Sequence, residues 1–263
     1  MQDKRELMKN TNLFVLDMDG TFYLGDKIID GALEFIEKVK KCDKEYLFFT
    51  NNSSRSPELY IEKLRKMNCT IDRNQIMTSA DVTIKYIKTY FSDKSVYLVG
   101  TPALEQSFRE AEINLTQKNP ELVVVGFDTT LTYKKLELAC GFIRKGAIFL
   151  ATHMDINCPT EEGFIPDCGA MCQLITSSTG KNPRFLGKPS KETMDMVLRE
   201  TGRKREEVAF VGDRIYTDVA TGVKNGAKGI LVLSGETQEC DIEKSLVIPD
   251  GIFVSLKEMI DYL

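Results

Sequence analysis

Residues 13–21, LFVLDMDGT, hold the strongest structural signal of the chain, because an apolar run ends there in two aspartates, Asp17 and Asp19. Side chains alternate along a strand, so both carboxylates point to the side where a parallel sheet opens its crevice. Two carboxylates about 4 Å apart repel by roughly 4 kcal/mol at an effective dielectric constant of about 20. The pair therefore needs a cation, a shared proton or water. The alternative is an Asp-Gly turn that the aspartates only cap.

Three further segments bring polar side chains to strand ends or helix starts. EYLFFTNN ends an apolar run, GKPS precedes a predicted helix that Ser190 caps, and VAFVGDRIYTD ends another apolar run. In chain order these segments contribute Thr50, Asn51, Lys188, Asp213 and Asp218. The order is compatible with one site at the carboxyl edge of a parallel sheet.

Together these residues have the composition of a phosphate site. Mg²⁺ prefers oxygen ligands and is commonly held by one or two carboxylates, which Asp17 and Asp213 can supply. Thr50, the amides near Asn51 and the ammonium of Lys188 can surround the remaining phosphate oxygens. This arrangement leaves a carboxylate oxygen of Asp17 free to attack phosphorus.

The chain resembles the haloacid dehalogenase (HAD) superfamily, and within it the phosphatases of subfamily IIA, the 4-nitrophenylphosphatase or NagD-like branch. DMDGT, TNN, GKPS and GDRIYTD match its four motifs, and the resemblance runs over essentially the whole chain. It implies that Asp17 is the nucleophile and that Asp19 is the general acid and base. It also implies that the backbone carbonyl of Asp19 binds the metal.

The remaining motif residues receive their roles from the same resemblance. It places Thr50 and Asn51 at the phosphate and makes Lys188 the partner of both phosphate and nucleophile. Asp213 is implied as a metal ligand, and Asp218 as the residue that orients the shell around the metal. The implied cofactor is Mg²⁺.

Strand and helix patterns alternate from one end of the chain to the other, which is typical of an α/β fold with a parallel sheet. The large insertion between Thr50 and Lys188 predicts a separate lobe. We expect a Rossmann-like HAD core over 1–78 and 185–263, and the resemblance makes 79–184 a large α/β cap domain. Within it, the glycines and prolines of CPTEEGFIPDCGA favour a substrate loop over a strand.

Three residues of the insertion are weaker candidates for contact with substrate. By resemblance, Asp128 and Asp155 occupy positions near the substrate entrance, although each could equally cap a turn. His153, the only histidine of the chain, stands where relatives carry Asn. A single histidine after a strand is more often a hydrogen-bonded structural residue than a base.

Composition limits the partners. The net charge of −4 and the scattered basic residues argue against nucleic acid binding. The polar start and the lack of an apolar stretch of about 20 residues argue against a membrane anchor. A cytoplasmic protein is expected, and the resemblance allows a homodimer through the cap.

We therefore predict a Mg²⁺-dependent phosphatase that hydrolyses small phosphate monoesters, such as a sugar phosphate, a nucleotide or an aryl phosphate, through an aspartyl-phosphate. One alternative is a dehalogenase of the same superfamily, which would have no leaving alcohol for Asp19 to protonate. Another is a non-enzymatic phospho-acceptor signalling module. Such modules are far shorter and do not call for an inserted cap.

Overall fold

The structure is a computed structural model that describes residues 3–160 and 162–263. Its strands are β1 (Leu13–Leu16), β2 (Tyr23–Leu24), β3 (Lys27–Ile28), β4 (Glu45–Thr50), β5 (Ile76–Thr78), β6 (Val96–Val99), β7 (Leu122–Val125), β8 (Ile148–Ala151), β9 (Asn157–Thr160), β10 (Gly163–Pro166), β11 (Arg184–Phe185), β12 (Val208–Gly212), β13 (Lys228–Val232) and β14 (Gly251–Phe253). Its α-helices are α1 (Lys4–Lys9), α2 (Ala32–Lys41), α3 (Pro57–Lys66), α4 (Ser79–Tyr90), α5 (Pro102–Glu110), α6 (Tyr133–Arg144), α7 (Cys168–Thr179), α8 (Lys191–Thr201), α9 (Ala220–Lys224), α10 (Glu239–Lys244) and α11 (Leu256–Met259). The expected α/β class is confirmed.

Several helices begin where a side chain caps their first turn. Thr101 caps α5, with Pro102 in its first turn, and Ser190 caps α8 as the sequence predicts. One π-helical turn, Ile215–Val219, precedes α9. Within 3–160 and 162–263, no helix combines the length and the apolar character needed to cross a bilayer.

The chain forms two compact units. The first unit comprises the residues up to Thr50, Ile61–Met77 and Lys188–Leu263. The second comprises Asn51–Tyr60 and Thr78–Gly187. Each unit has its own parallel sheet. The assignment of 1–78 and 185–263 to a catalytic core, and of 79–184 to a cap, stays a prediction about their roles.

The first unit is built on a six-stranded sheet of order β14-β13-β12-β1-β4-β5. Strand β1 pairs in parallel with β12 on one side and with β4 on the other. All four side chains of β1 are buried, because helices and loops cover both faces of a parallel sheet. The strand order runs in opposite directions on the two sides of β1, so a crevice opens at the carboxyl ends of these strands.

The second unit contains a four-stranded sheet of order β11-β8-β7-β6, with every pair parallel. Its core packs Val123 and Val125 of β7 against Phe142 of α6 and Ile175 of α7. Strands and helices alternate in this unit as well, as the sequence predicts for the insertion.

The segment predicted as a loop, CPTEEGFIPDCGA, is largely a hairpin, so that prediction is wrong. Strands β9 and β10 pair antiparallel, with Pro159 opposite Phe164 and Pro166 opposite Asn157. A proline lacks the N–H that a central strand needs, but a two-stranded ribbon has open edges that tolerate it. The prolines are therefore compatible with pairing in this short hairpin.

Candidate active site

Two aspartates meet at the carboxyl edge of the first unit's sheet. Leu16 lies beside Val211 in the register of β1 and β12, and Asp17 donates its backbone N–H to the carbonyl of Val211 at 2.9 Å. Asp213 follows the end of β12 directly. The crevice next to β1 thus receives one carboxylate from each strand, as the sequence predicts.

A buried lysine joins the nucleophile candidate to a third carboxylate. The ammonium of Lys188 donates to Asp17 Oδ1 and to Asp218 Oδ1, each at 2.6 Å, and to the carbonyl of Phe49 at 3.1 Å. Lys188 and Asp218 are almost wholly buried, whereas the side chain of Asp17 retains 13% exposure. The lysine therefore fixes one side of Asp17 and leaves part of its carboxylate accessible.

The π-helical turn after β12 orients Asp218. Its Oδ2 accepts the backbone N–H of Arg214 at 3.1 Å while its Oδ1 accepts from Lys188. A side chain on Gly212 would collide with the carboxylate of Asp218. A single π turn of this kind is frequent at functional sites, where it redirects a side chain.

Asp213 is enclosed by glycines and backbone donors. Its Oδ2 accepts the N–H of Glu236 at 2.6 Å. A Cβ on Gly235 or on Gly20 would fall against its carboxylate. Gly20 also has a φ of +83°, a conformation that other residues rarely adopt. The glycine of DMDGT is thus required both for the turn and for space beside Asp213.

The electrostatics of the cluster call for a cation. Ligand oxygens of Asp17, Asp213 and Asp218 lie within 4.8 Å of one another. Burial raises the pKa of Asp17 well above its usual value, and Asp218 and Asp213 raise it further, against the opposing effect of Lys188. Burial and the charge of Asp218 raise the pKa of Asp213 to about 7. Carboxylate oxygens are the donors that Mg²⁺ prefers, so the donor set fits this ion.

The carboxylates of the cluster also change the pKa of Lys188. Burial lowers the pKa of Lys188, but the adjacent charges of Asp17 and Asp218 outweigh burial and raise it above its usual range. The lysine therefore stays charged near neutral pH. Lys188 pairs with Asp17 and Asp218, while burial raises the pKa of Asp213 and Arg214, itself paired with Glu236, lowers it. Four carboxylates thus face two cations, which leaves the cluster with excess negative charge.

Asp19 is half-buried and faces a tyrosine that the sequence did not single out. The hydroxyl of Tyr23 lies 3.4 Å from Asp19 Oδ2, and the Tyr23 carbonyl accepts the N–H of Gly20 at 2.8 Å. The ammonium of Lys63 lies 3.9 Å from the centre of the Tyr23 ring. The short hairpin of β2 and β3 thus supplies the surroundings of Asp19, two residues after Asp17.

Thr50 and Asn51 mark the boundary between the two units in the chain. Thr50 ends β4 in the first unit and is buried. Asn51 begins the second unit, where its side-chain amide donates to Asp155 Oδ2 at 3.2 Å and its carbonyl accepts the hydroxyl of Ser79. Asn51 and Asp155, predicted separately as phosphate and substrate residues, are therefore in contact.

His153 is wholly buried in the second unit and forms an ion pair. Its Nε2 lies 2.9 Å from Asp167 Oδ1, and its Nδ1 lies 2.9 Å from the hydroxyl of Thr152. Asp167 also caps α7 by accepting the N–H of Cys168. Sequence reasoning missed Asp167, although an aspartate before a helical segment is a standard capping signal.

Asp128 is held by its own turn and by a lysine. Its Oδ1 accepts the N–H and hydroxyl of Thr130 at 2.9 and 2.7 Å, and its Oδ2 accepts from Lys135 at 2.6 Å. These contacts are those of the capped turn that the sequence left open. A substrate role for Asp128 stays a prediction.

The fold and the site together define a class of protein. It is an α/β protein with parallel sheets, and its carboxylate cluster with a buried lysine is suited to reactions of anionic groups. A family model described as haloacid dehalogenase-like hydrolase matches residues 14–114, and one described as HAD-hydrolase-like matches 185–259. The chain belongs to the haloacid dehalogenase-like hydrolase family.

Similar curated proteins are named as phosphatases. An acid sugar phosphatase of Staphylococcus haemolyticus is 36% identical over 97% of this chain and 98% of its own. The 5′-nucleotidase YutF of Bacillus subtilis is 35% identical over 97% of this chain and 100% of its own.

Solved structures agree with these relatives. The 4-nitrophenylphosphatase of Thermotoga maritima is 42% identical, with a TM-score of 0.93, over 97% of this chain and 98% of its own. A glycerol phosphate phosphatase of Mycobacterium tuberculosis, solved with magnesium, is 26% identical, with a TM-score of 0.88, over 96% of this chain and 77% of its own. The resemblance to the 4-nitrophenylphosphatase or NagD-like branch of phosphatases, drawn from the sequence motifs, is confirmed.

Proposed function

We propose that this phosphatase hydrolyses small phosphate monoesters through an aspartyl-phosphate formed on Asp17. The observation that carries the proposal is the ammonium of Lys188, which lies 2.6 Å from the carboxylates of both Asp17 and Asp218. Nucleophile and phosphoryl group are both anions, so their approach needs fixed positive charge. A covalent intermediate also divides a very slow hydrolysis into two easier steps.

In the first step, an oxygen of Asp17 bonds to phosphorus while the bond from phosphorus to the ester oxygen breaks. Asp19 gives its proton to that oxygen, which leaves as an alcohol. In the second step, Asp19 takes a proton from water, the water oxygen bonds to phosphorus, and inorganic phosphate leaves. Asp17 regains its carboxylate, and Asp19 is protonated again for the next cycle.

Thr50, Asn51 and Lys188 bind the non-bridging phosphate oxygens in this proposal. The Thr50 hydroxyl and the backbone amides near Asn51 are neutral donors, and Lys188 supplies charge. Donors fixed in advance on a buried strand end need little reorganisation when charge develops in the transition state.

Mg²⁺ is the cofactor we propose. The carboxylates of Asp17 and Asp213 and the backbone carbonyl of Asp19 would hold it, with Asp218 orienting its shell. When bound, the ion offsets the carboxylate repulsion and supplies Lewis acidity at the phosphoryl oxygens. The acidic donor set and the magnesium complex of the mycobacterial relative support this assignment.

The names of the relatives support sugar phosphates, nucleotides and aryl phosphates as the candidate substrate classes. The presence of Asp19 favours phosphatase over dehalogenase chemistry, because only the former has an alcohol to protonate. The large second unit disfavours a phospho-acceptor signalling module, which needs none.

A homodimer through the second unit is a further proposal, and a cytoplasmic location stays a prediction. Phe164 is 66% exposed on the β9–β10 hairpin, and Ile165 and Leu174 are also exposed. Exposed apolar side chains of this kind are suited to burial against a second copy.

The test replaces Asp17 by Asn, which keeps the shape of the side chain and removes the nucleophilic carboxylate. We expect kcat to fall by at least about 10⁴-fold, as when other catalytic nucleophiles are removed. Turnover of several phosphate monoesters with Mg²⁺ and with EDTA is the measurement. The exposed Asp30, replaced by Asn, is the matched control. Substantial residual activity of the Asp17 variant would contradict the nucleophile assignment.

A further inference from the structure

A buried chain of hydrogen bonds in the second unit ends at Asn51. It begins at Asp167, whose Oδ1 lies 2.9 Å from His153 Nε2. The other ring nitrogen, Nδ1, lies 3.4 Å from the hydroxyl of Ser79, and that hydroxyl donates to the carbonyl of Asn51. His153 and Ser79 are both 0% exposed. The chain is therefore shielded from water along its length.

Counting protons fixes the direction of this chain. A serine hydroxyl has one proton, and Ser79 gives it to the Asn51 carbonyl, which can only accept. In a hydrogen bond across the 3.4 Å to His153 Nδ1, Ser79 can then only accept. A carboxylate also only accepts, so Asp167 requires a proton on Nε2. Nδ1 also lies 2.9 Å from the hydroxyl of Thr152, which can donate as well as accept, so the charge of His153 is set by its electrostatic surroundings.

The electrostatic surroundings favour the protonated form of His153. Burial lowers the pKa of His153, but the charges of Asp167 and Cys168 outweigh burial and raise it to about 9. Asp155 acts in the same direction. The pair is thus charged at neutral pH although it is buried.

The same structural elements also hold the side chain of Asn51. Its amide donates to Asp155 Oδ2 at 3.2 Å, and the Asp155 carbonyl accepts the N–H of Gly169 at 2.8 Å. Gly169 lies in the first turn of α7, the helix that Asp167 caps. Asn51 is therefore fixed at its carbonyl through His153 and at its amide through Asp155.

We propose that His153, Asp167 and Ser79 are positioning residues that fix Asn51 for phosphoryl binding, and that His153 does not itself recognise the leaving group. This inference rests on the proposed role of Asn51 at the phosphate. It assigns a function to the ion pair that differs from the substrate contact suggested for His153 by its place in the sequence.

The two roles predict different substrate dependence. A residue that positions Asn51 affects the phosphoryl group, which every substrate shares, whereas a residue that contacts the leaving group affects substrates unequally. The experiment measures kcat and KM for an aryl phosphate, a hexose phosphate and a nucleoside monophosphate. It also measures inhibition by inorganic phosphate, which has no leaving group.

The variants are His153→Asn, Asp167→Asn and Ser79→Ala. Asp167→Asn keeps an acceptor for the cap of α7 while removing the charge. We expect KM to rise about tenfold, the usual scale for losing a hydrogen bond to a charged group, by the same factor for all three substrates. The inhibition constant for phosphate should rise by that factor as well.

Two controls separate positioning from general damage. Ser107→Ala removes a helical serine hydroxyl that bonds only within α5, and it should leave KM unchanged. The double variant His153→Asn with Ser79→Ala should be no worse than the weaker-binding single variant, because both break one chain. Additive losses would indicate two independent defects and would overturn the proposal.

Other outcomes also decide the question. Factors that differ several-fold between substrates, or an unchanged phosphate inhibition constant, would assign His153 to the leaving group and reject the positioning role. Unchanged KM in all three variants, with an active wild type, would reject it too. An inactive wild type would instead reject the proposed function, so the two failures are distinguishable.

Discussion

The two units treat buried charge in opposite ways. In the first unit, Asp17 and Asp218 share the ammonium of Lys188, Asp213 lies close to both carboxylates, and the pKa values of Asp17 and Asp213 are raised. In the second unit, two buried aspartates each lie beside a cationic side chain: Asp167 contacts His153, and Asp128 contacts Lys135. The first cluster has excess negative charge, and the second pairs are balanced.

This difference separates a reactive site from a structural one. Buried like charges are costly unless an external cation or a proton compensates them, so the first cluster is poised to take up both. A buried pair that is already matched gains little from a ligand and loses much when one partner is removed. Variants in the first unit should therefore change turnover and metal affinity, whereas variants of the balanced pairs should change stability and local order, including the position of Asn51 on which KM depends.

The largest effect is expected from Lys188→Met, which removes the ammonium paired with Asp17 and Asp218. We expect kcat to fall by about 100- to 1,000-fold, the scale seen when one electrostatic stabiliser of a transition state is lost. Steady-state kinetics with saturating Mg²⁺ measures the change. Lys191→Met is the matched control, because Lys191 is exposed and pairs with Asp195 on the same helix. Similar losses in both variants would show that the cluster has no special need of its ammonium.

The next effect concerns the metal and Asp213→Asn. Removing one carboxylate from the donor set should raise the Mg²⁺ concentration for half-maximal activity by at least about 100-fold, since even outer-shell changes cost 10- to 100-fold. A titration with Mg²⁺ after treatment with EDTA gives this value. Asp250→Asn is the control, because Asp250 accepts a backbone N–H of Gly229 in the same unit. An unchanged Mg²⁺ requirement would exclude Asp213 as a ligand.

The same contrast explains which residues the sequence revealed. Asp17, Asp213 and Thr50 end apolar strands, and strand ends at one edge of a parallel sheet must meet, so local pattern sufficed. Lys188 and Asp218 were found in the segments GKPS and GDRIYTD, their roles were implied by the family resemblance, and the structure places them in contact. The alternation of strands and helices likewise predicted both sheets.

What the sequence did not reveal depends on contacts distant in the chain. The partner of His153 is 14 residues away, and Ser79 meets Asn51 across 28 residues, so no local pattern links them. The β9–β10 hairpin was missed because its prolines outweighed its pairing potential. Its open edges, which tolerate proline, are visible only in three dimensions.

The smallest predicted effect concerns the pairing of His153 with Asp167 in the second unit. Because His153 is the only histidine, imidazole NMR resonances report one residue. We expect a folded-state pKa of about 9, against about 6.5 unfolded, because Asp167 and Cys168 outweigh the effect of burial. Because the pKa of His153 is higher in the folded state, its protonation stabilises the folded protein fully below pH 6.5. This stabilisation is lost as the pH rises through 9. The free energy of unfolding should fall by about 2 to 3 kcal/mol over that window.

The thiol of Cys168 would obscure this pH dependence, because it titrates in the same range. Burial raises its pKa, but Cys172 and His153 outweigh burial and lower the pKa to about 7. A lowered thiol pKa adds stability as pH rises, with the opposite sign. The stability curves are therefore compared in a Cys168→Ser background, with and without Asp167→Asn. Without the aspartate, burial dominates and the pKa of His153 should fall, which removes the pH dependence. A His153 pKa that does not fall when Asp167 is replaced in that background would show that Asp167 does not balance the charge, and the contrast between the two units would fail.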